Sequence, residues 1–299
     1  MFIVLLYNLV GRYVLGEKKM KTRRSERLID MTRYLLERPH TLISLVFFAD
    51  RYESAKSSIS EDLGILRRTF MIRGIGVLET LPGAGGGVIF TPGISKKEAT
   101  EFVEETSKRL VEPNRILPGG YLYLTDLLAD PELLRTVGRM IATQYSQSSI
   151  DVVMTVATKG IPIAQSVANF LNIPFVIVRR DSKITEGSTI SVNYASGSSD
   201  RVEKMELSKR SLDEGSRVLV VDDFMKGGGT INGLQSLISE FNAIFVGATV
   251  FAENININSQ FSDADITSIF KVTKIDTKNR ILNVQPGNYL TNTDFSYFE

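Results

Sequence analysis

Apolar residues recur at helical spacing across residues 25–37, where Leu28, Met31, Leu35 and Leu36 fall on one side. That spacing predicts an amphipathic helix, ended by Pro39. Residues 41–52 are more apolar and predict a second helix. Residues 57–70 predict a third, with Ser58-Ile59-Ser60-Glu61 as a capping box. In this third helix Ile59, Leu63, Leu66 and Phe70 share a core face, while Ser57, Ser60, Gly64 and Arg68 lie opposite. A glycine-rich, β-branched stretch follows at 73–92. Val77-Leu78-Glu79-Thr80 and Val88-Ile89-Phe90-Thr91 predict two strands around a tip containing Pro82-Gly83 and Gly85-Gly86-Gly87. Three helices followed by a β-hairpin is the order of an α+β winged helix.

Residues 95–111 predict a polar connecting helix capped by Ser95 and Glu98. Beyond residue 114 the pattern becomes α/β. Asp130-Pro131-Glu132 starts a helix with Leu133, Leu134, Val137, Met140 and Ile141 on one face. Strands are predicted at 151–158, 174–178, 217–221 and 243–251, with helices at 161–171 and 230–241. This alternation implies a central parallel sheet with ligands at the carboxyl ends of its strands. Between residues 182 and 210 lies a long polar excursion rich in Ser, Gly and Thr, expected to be a mobile functional loop. The expected domains are an upstream extension at 1–19, a winged helix at 20–93, a connecting helix at 94–113 and an α/β ligand-binding domain at 114–299.

Composition narrows the function classes. The chain has 299 residues, 43% hydrophobic and 23% charged, with a net charge of +1. That is the balance of globular domains with a real core, and it leaves charge to be read locally. The absence of cysteine excludes a disulfide framework, a thiolate metal site and a cysteine nucleophile, and fits a reducing cytoplasm. The single histidine, His40, excludes a His-based metal cluster and reads as structural. No metal site built from protein side chains is expected. The first nineteen residues are apolar but interrupted by Asn8, Gly11 and Arg12, too short to span a bilayer and unlike a signal peptide. The favoured reading takes Met20 as the natural start; a membrane-contacting helix is the alternative.

The strongest chemical signal is the run from Val218 to Thr230. An apolar strand delivers Asp222 and Asp223 to its carboxyl end, and Phe224, Met225, Lys226, Gly227, Gly228, Gly229 and Thr230 lead into a helix. Glycines let consecutive N–H groups converge on an anion, and a helix dipole adds partial positive charge. The two carboxylates accept hydrogen bonds from sugar hydroxyls, so the whole turn matches a ribose 5-phosphate. A tight strand–helix turn with two solvated acids is the plainer alternative. Thr158, Lys159 and Gly160, after the strand at 151–158, read on their own as a simple turn. Tyr121 and Phe224 are candidates for stacking on a base, each equally readable as core.

The run from Val218 to Thr230 resembles the phosphoribosyl pyrophosphate (PRPP) motif of the type I phosphoribosyltransferases, with Gly227 where a Thr is usual and Lys226 where a small residue is common. The same resemblance implies a pyrophosphate-binding loop at Thr158, Lys159 and Gly160. The whole chain from about Met20 resembles the pur operon repressors of Gram-positive bacteria. That resemblance rests on the winged-helix pattern, on Ile184-Thr185-Glu186-Gly187-Ser188-Thr189, on Asn193-Tyr194 with Ser196-Gly197-Ser198-Ser199, and on Asp222-Asp223-Phe224-Met225-Lys226 with Gly228-Gly229-Thr230. It implies a cytoplasmic homodimer that binds operator DNA of purine genes, releases it when PRPP is abundant and has no transferase activity or catalytic residue. PRPP is then an effector and not a cofactor; Mg2+ beside it and guanosine tetraphosphate-type alarmones as competitors stay open. The mobile loop expected at 183–204 matches the one that covers PRPP in that family.

The residues support a DNA role independently. Between residues 20 and 76 there are eleven Lys or Arg against seven acids, a net of +4. Lys56, Ser57, Ser58, Ser60, Arg67, Arg68 and Arg73 are the expected DNA-binding set, with small residues letting the third helix enter a major groove. A solvated helix face with ordinary charge scatter is the plainer alternative, since Glu61 and Asp62 dilute the basic signal. The competing functions are an active purine phosphoribosyltransferase with an N-terminal extension, and an RNA-binding attenuator. The latter suits a wing and third helix less well.

Overall fold

The computed structural model describes residues 22–83, 85–181, 187–195, 202–255 and 266–299. The chain divides into two compact units. The first runs to Thr69 and includes Leu78–Phe90; the second combines Phe70–Val77 with Thr91–Glu299. Residues 1–19, Lys183 to Glu186 and Ser196 to Ser199 lie outside the described residues.

Helices α1 (Arg24–Leu36), α2 (Leu45–Tyr52) and α3 (Lys56–Ile72) precede the hairpin β2 (Gly76–Leu81) and β3 (Gly87–Pro92). Residues 41–52 are not one helix. A two-residue strand, β1 (Ile43–Ser44), comes first and pairs antiparallel with β3, Ile43 opposite Val88 and Ser44 opposite Gly87. The sheet order is β1-β3-β2. Gly87 permits the pairing, because a Cβ there would lie 2.2 Å from the Ile43 carbonyl oxygen. Ser44 then caps α2 by accepting from the Phe47 N–H at 3.1 Å. The capping box expected at Ser58 to Glu61 lies inside α3, which starts at Lys56. Its acids face α1 instead. Asp62 is fully buried and accepts from Arg24 Nε at 2.8 Å and from Arg27 Nε and Nη2 at 3.0 and 2.8 Å. Glu61 pairs with Arg24 at 3.6 Å. Asp30 likewise ties α1 to α2 through Arg51 Nε at 2.9 Å and the Tyr52 hydroxyl at 2.8 Å. Ile59, Leu63, Leu66 and Phe70 are all buried, as their spacing requires. His40 is a turn residue with φ 55°, its N–H on the Phe90 carbonyl at 2.8 Å.

The second unit is built on six strands in the order β13-β12-β11-β10-β6-β7. They are β6 (Val152–Val156), β7 (Phe175–Val178), β10 (Arg217–Lys226), β11 (Ile244–Asn254), β12 (Ile266–Asp276) and β13 (Ile281–Pro286). All neighbours run parallel except β12 and β13. Alternate residues of β10 serve opposite faces. Leu219 and Val221 pack with α4 (Lys96–Leu110), α5 (Pro131–Gln144) and α6 (Gly160–Leu171), while Val218 and Val220 pack with α7 (Gly229–Glu240). The helix expected as a connector, α4, has the predicted Ser95–Glu98 capping box, and buries Ala99, Val103 and Leu110 in the core of this unit. A small hairpin of β4 (Ile116–Leu117) and β5 (Tyr121–Leu122) precedes α5.

The excursion between residues 182 and 210 is not a loop where it is described. It forms an antiparallel pair, β8 (Thr189–Ala195) and β9 (Val202–Ser208), Thr189 opposite Ser208 and Ala195 opposite Val202. Polar composition hides the alternation that makes it a strand pair: Tyr194, Met205 and Leu207 are buried against α7. Among the described residues no helix is long and apolar enough to cross a membrane.

Asp62 carries a direct stability test. Removing one side of a buried ion pair costs about 3–5 kcal/mol. Arg24 is half exposed, so Asp62→Ala is expected at the low end, about 3 kcal/mol. The loss should appear in urea titrations as an earlier transition of the first unit, with the second unit's transition unmoved.

Candidate functional site

From β6 the chain proceeds to β7 on one side, and from β10 to β11 on the other, although β6 and β10 are adjacent. This is a topological switch point, where carboxyl ends of parallel strands leave a crevice for a ligand. The register sets Val220 of β10 beside Met154 of β6. Two strand ends therefore meet: Val156 leading to Thr158, Lys159 and Gly160, and β10 carrying Asp222 and Asp223.

These residues are in contact. The Thr158 hydroxyl lies 3.4 Å from Asp222 Oδ1 and 3.5 Å from Asp223 Oδ1. It has one proton and serves one carboxylate at a time. Asp222 Oδ1 also accepts from the Asp223 N–H at 2.9 Å, and the Gly160 N–H donates to Thr158 Oγ1 at 3.4 Å. Gly160 must be glycine here, since a Cβ would sit 2.4 Å from Thr155 Oγ1 and 2.9 Å from Asp222 Oδ1. Burial, reinforced by the neighbouring Asp223 charge, pushes the Asp222 carboxyl well above the usual carboxylate range. Lys159 is exposed at the entrance to α6.

Past the acids, β10 continues to Lys226, further than its apolar run suggested. Phe224 pairs with Ala252, Met225 with Glu253 and Lys226 with Asn254 of β11. Met225 is buried, and Phe224 is partly buried against the core. The anion cup begins after them. Gly227 (φ 77°) and Gly228 (φ 80°) are consecutive left-handed residues, a conformation that only glycine adopts readily. Such a pair turns successive N–H groups toward one point, and Gly228 is the N-cap of α7. Thr230 lies in the first turn of α7, and the Tyr194 hydroxyl of the β8–β9 hairpin, which packs on that helix, donates to Glu203 at 2.7 Å. Burial and that carboxylate push the Tyr194 phenol up to about 12.

Lys226 does not point into this cup. Its ammonium donates to the Gly119 carbonyl at 2.8 Å and sits 4.8 Å from the centre of the Tyr121 ring. Gly119, at φ 77°, also walls a cavity of about 630 Å³ that Arg280 borders. Sequence reasoning missed this partnership, because the Pro118-Gly119 turn carries no signal linking it to β10. Of the two candidate stacking rings, Tyr121 is the more exposed.

In the first unit, Lys56, Ser57, Ser60 and Arg68 are exposed on the outer side of α3, and Ser58 is half-buried. Gly64 is exposed in mid-helix, with nothing within 4 Å of an added Cβ. Arg67 is exposed but turned to β2, where Nε donates to the Leu78 carbonyl at 3.0 Å and Nη2 to Thr80 Oγ1. Arg73, in the turn after α3, is exposed.

A winged-helix DNA-binding domain joined to a type I phosphoribosyltransferase fold defines the class of protein. Residues 23–92 match the family model described as "Bacterial purine repressor, N-terminal", and residues 124–286 match "Phosphoribosyl transferase domain". The probable purine biosynthesis transcriptional regulator PurR of Streptococcus pneumoniae is 57% identical over 270 residues, 90% of this chain and 98% of that one. The purine biosynthesis transcriptional repressor PurR of Bacillus subtilis is 53% identical over 271 residues, 91% and 95% of the two chains. The purine biosynthesis transcriptional activator PurR of Lactococcus lactis is 54% identical over 266 residues, 89% and 98%. This chain belongs to the PurR family of purine biosynthesis transcriptional regulators. The adenine phosphoribosyltransferase of Rhodothermus marinus matches 58% of this chain and 99% of its own, with a TM-score of 0.51 and 22% identity, a likeness of fold.

The raised Asp222 carboxyl makes a signed prediction. An acid whose folded value exceeds its unfolded value of 3.8 loses stability as pH rises from the unfolded value through the folded one, because the native state holds the extra proton. Asp222→Asn retains the acceptor for Asp223 and Thr158 without the buried charge. The variant should melt higher than the parent at pH 7, with the advantage shrinking toward pH 4. Equal melting temperatures at both values would remove the buried-charge account.

Proposed function

We propose that this chain is a purine-gene repressor that binds operator duplex DNA through its winged helix and releases it when PRPP occupies the second unit. The observation that carries the reading is the meeting of Asp222, Asp223 and Thr158 at one switch point, on a strand that runs on into the Gly227-Gly228 turn, in a chain that also holds a winged helix. Asp222 and Asp223 accept from the ribose hydroxyls, the Gly227–Thr230 turn cups the 5-phosphate, and Lys159 with the Gly160 N–H meets the pyrophosphate. A magnesium ion, where one is used, arrives on the pyrophosphate. The α3 face carrying Ser57, Ser60 and Gly64 enters the major groove, with Lys56, Arg68 and Arg73 on phosphates. The working form is a homodimer in the cytoplasm, consistent with pseudo-palindromic operators. No catalytic residue is assigned. Lys226 is held by the Gly119 carbonyl and the Tyr121 ring.

Two other readings have a specific observation behind them. Relatives of nearly equal identity carry the names repressor and activator, so the sign of regulation is tested together with the effector. The phosphoribosyltransferase fold supports an active transferase.

Binding of a purine-gene control duplex should be measured with and without PRPP, and PRPP binding with and without the duplex. Repression released by PRPP predicts mutual weakening by one common factor, about 5–150-fold for a coupling of about 1–3 kcal/mol. An activator reading predicts unchanged or tighter DNA binding. Equal PRPP affinities in both titrations, together with turnover of hypoxanthine, guanine, adenine or xanthine, would establish the enzyme instead. Asp222→Ala with Asp223→Ala should lower PRPP affinity at least tenfold, since each lost charge-assisted hydrogen bond is worth roughly 1.5–3 kcal/mol, and should leave DNA affinity within twofold.

A further inference from the structure

Two neighbouring arginines on α3 are placed for different work. Arg68 is exposed, and no hydrogen bond or ion pair engages it among the described residues. Arg67 is exposed too, yet its guanidinium is committed. Nε donates to the Leu78 carbonyl at 3.0 Å and Nη2 to Thr80 Oγ1. Both acceptors lie on β2, the outer strand of the order β1-β3-β2. One side of β2 therefore has backbone groups without a strand partner, and the planar fork of Arg67 supplies donors there. Thr80 is next to Leu81, the last residue of β2, where the hairpin tip begins. The fork thus joins the penultimate turn of α3 to the root of the wing.

We infer that Arg67 is a positioning residue that clamps the wing to α3 and sets the spacing of the two elements that meet DNA, while Arg68 makes the phosphate contact. The inference rests on the DNA-binding reading given above. Lysine cannot replace Arg67, because an ammonium on a flexible stem does not reproduce two parallel donors. Thr80 becomes a residue that matters for DNA without carrying charge.

The test uses the full chain and a purine-gene control duplex, titrated at several salt concentrations. A lost phosphate contact lowers the slope of log affinity against log salt by about 0.9. Arg68→Ala is expected to do so. Arg67→Ala is expected to weaken binding about tenfold, equivalent to about 1.4 kcal/mol, with the slope unchanged. Arg67→Lys should resemble Arg67→Ala. Thr80→Val should weaken binding and add nothing further when combined with Arg67→Ala. Amide exchange in the free protein should accelerate across Leu78–Phe90 in Arg67→Ala, which reads the clamp without DNA. A slope reduced by about 0.9 in Arg67→Ala, full rescue by lysine or normal binding by Thr80→Val each overturns the clamp. A flat salt dependence of the parent protein overturns the DNA reading itself and the clamp with it, a result distinct from any confined to the variants.

Discussion

The second unit is organised around a carboxylate held out of water. Asp222 stands at the point where β6 and β10 diverge, and everything near it answers the need to satisfy its oxygens. Thr158 and the Asp223 N–H donate to it, Gly160 has no side chain so that α6 can begin beside it, and the sheet supplies the dry surroundings. An ionised acid there is costly on its own, which is why its carboxyl titrates high. Hydroxyl groups of a sugar would supply the missing donors. On the function proposed above, this arrangement is the seat of the ribose of PRPP, with its phosphate on the Gly227-Gly228 turn. Stability and recognition are opposed at this residue, as functional sites often require.

What could be read in the chain beforehand follows from how local each signal is. The β10 run was legible because an apolar stretch, two acids and a glycine turn are contiguous, and each names its own conformation. The core face of α3 was legible because Ile59, Leu63, Leu66 and Phe70 repeat at 3.6 residues. The strand Ile43–Ser44 was not, because its conformation is imposed by Gly87, forty-three residues on, through a close backbone approach. The β8–β9 pair was hidden because Ser191, Asn193 and Lys204 occupy outward positions, so the mean polarity suggested a loop while the alternation specified a strand. The orientation of Lys226 was likewise out of reach, since its acceptor is the carbonyl of Gly119.

Asp62 shows how a charge can be misread when only its number is counted. In sequence it dilutes a basic helix. In the structure it is the buried anchor that two arginines of α1 hold, and it faces away from the outer surface of α3. Asp30, partly buried, pairs with Arg51, and the exposed Glu37 pairs with Arg33 and Arg38. In these contacts five arginines share four acids, and the acids that hold Arg24 and Arg27 sit on α3, so pairing changes where the excess resides and not its size. Lys56 and Arg68 of α3 and Arg73 just past it are exposed and outside these ion pairs, while Arg67 is held by β2.

That concentration bears on how a small net charge suffices for a nucleic-acid surface. Over a chain of net charge +1, a diffuse field would draw little from DNA at physiological salt, where screening acts within about 8 Å. Contact charges are less affected, provided the backbone of the partner can come close. Gly64 provides for that approach at the centre of α3. It is exposed, its φ needs no glycine, and open space surrounds the missing Cβ. In such a position glycine costs a helix about 1 kcal/mol relative to alanine, and nothing inside the unit repays it. The missing side chain leaves open the side of α3 proposed above to face DNA, with Ser60 and Ser57 one and two turns before Gly64 and Arg68 one turn after. On the DNA reading proposed above, the weaker helix lets Lys56, Arg68 and Arg73 work at contact distance.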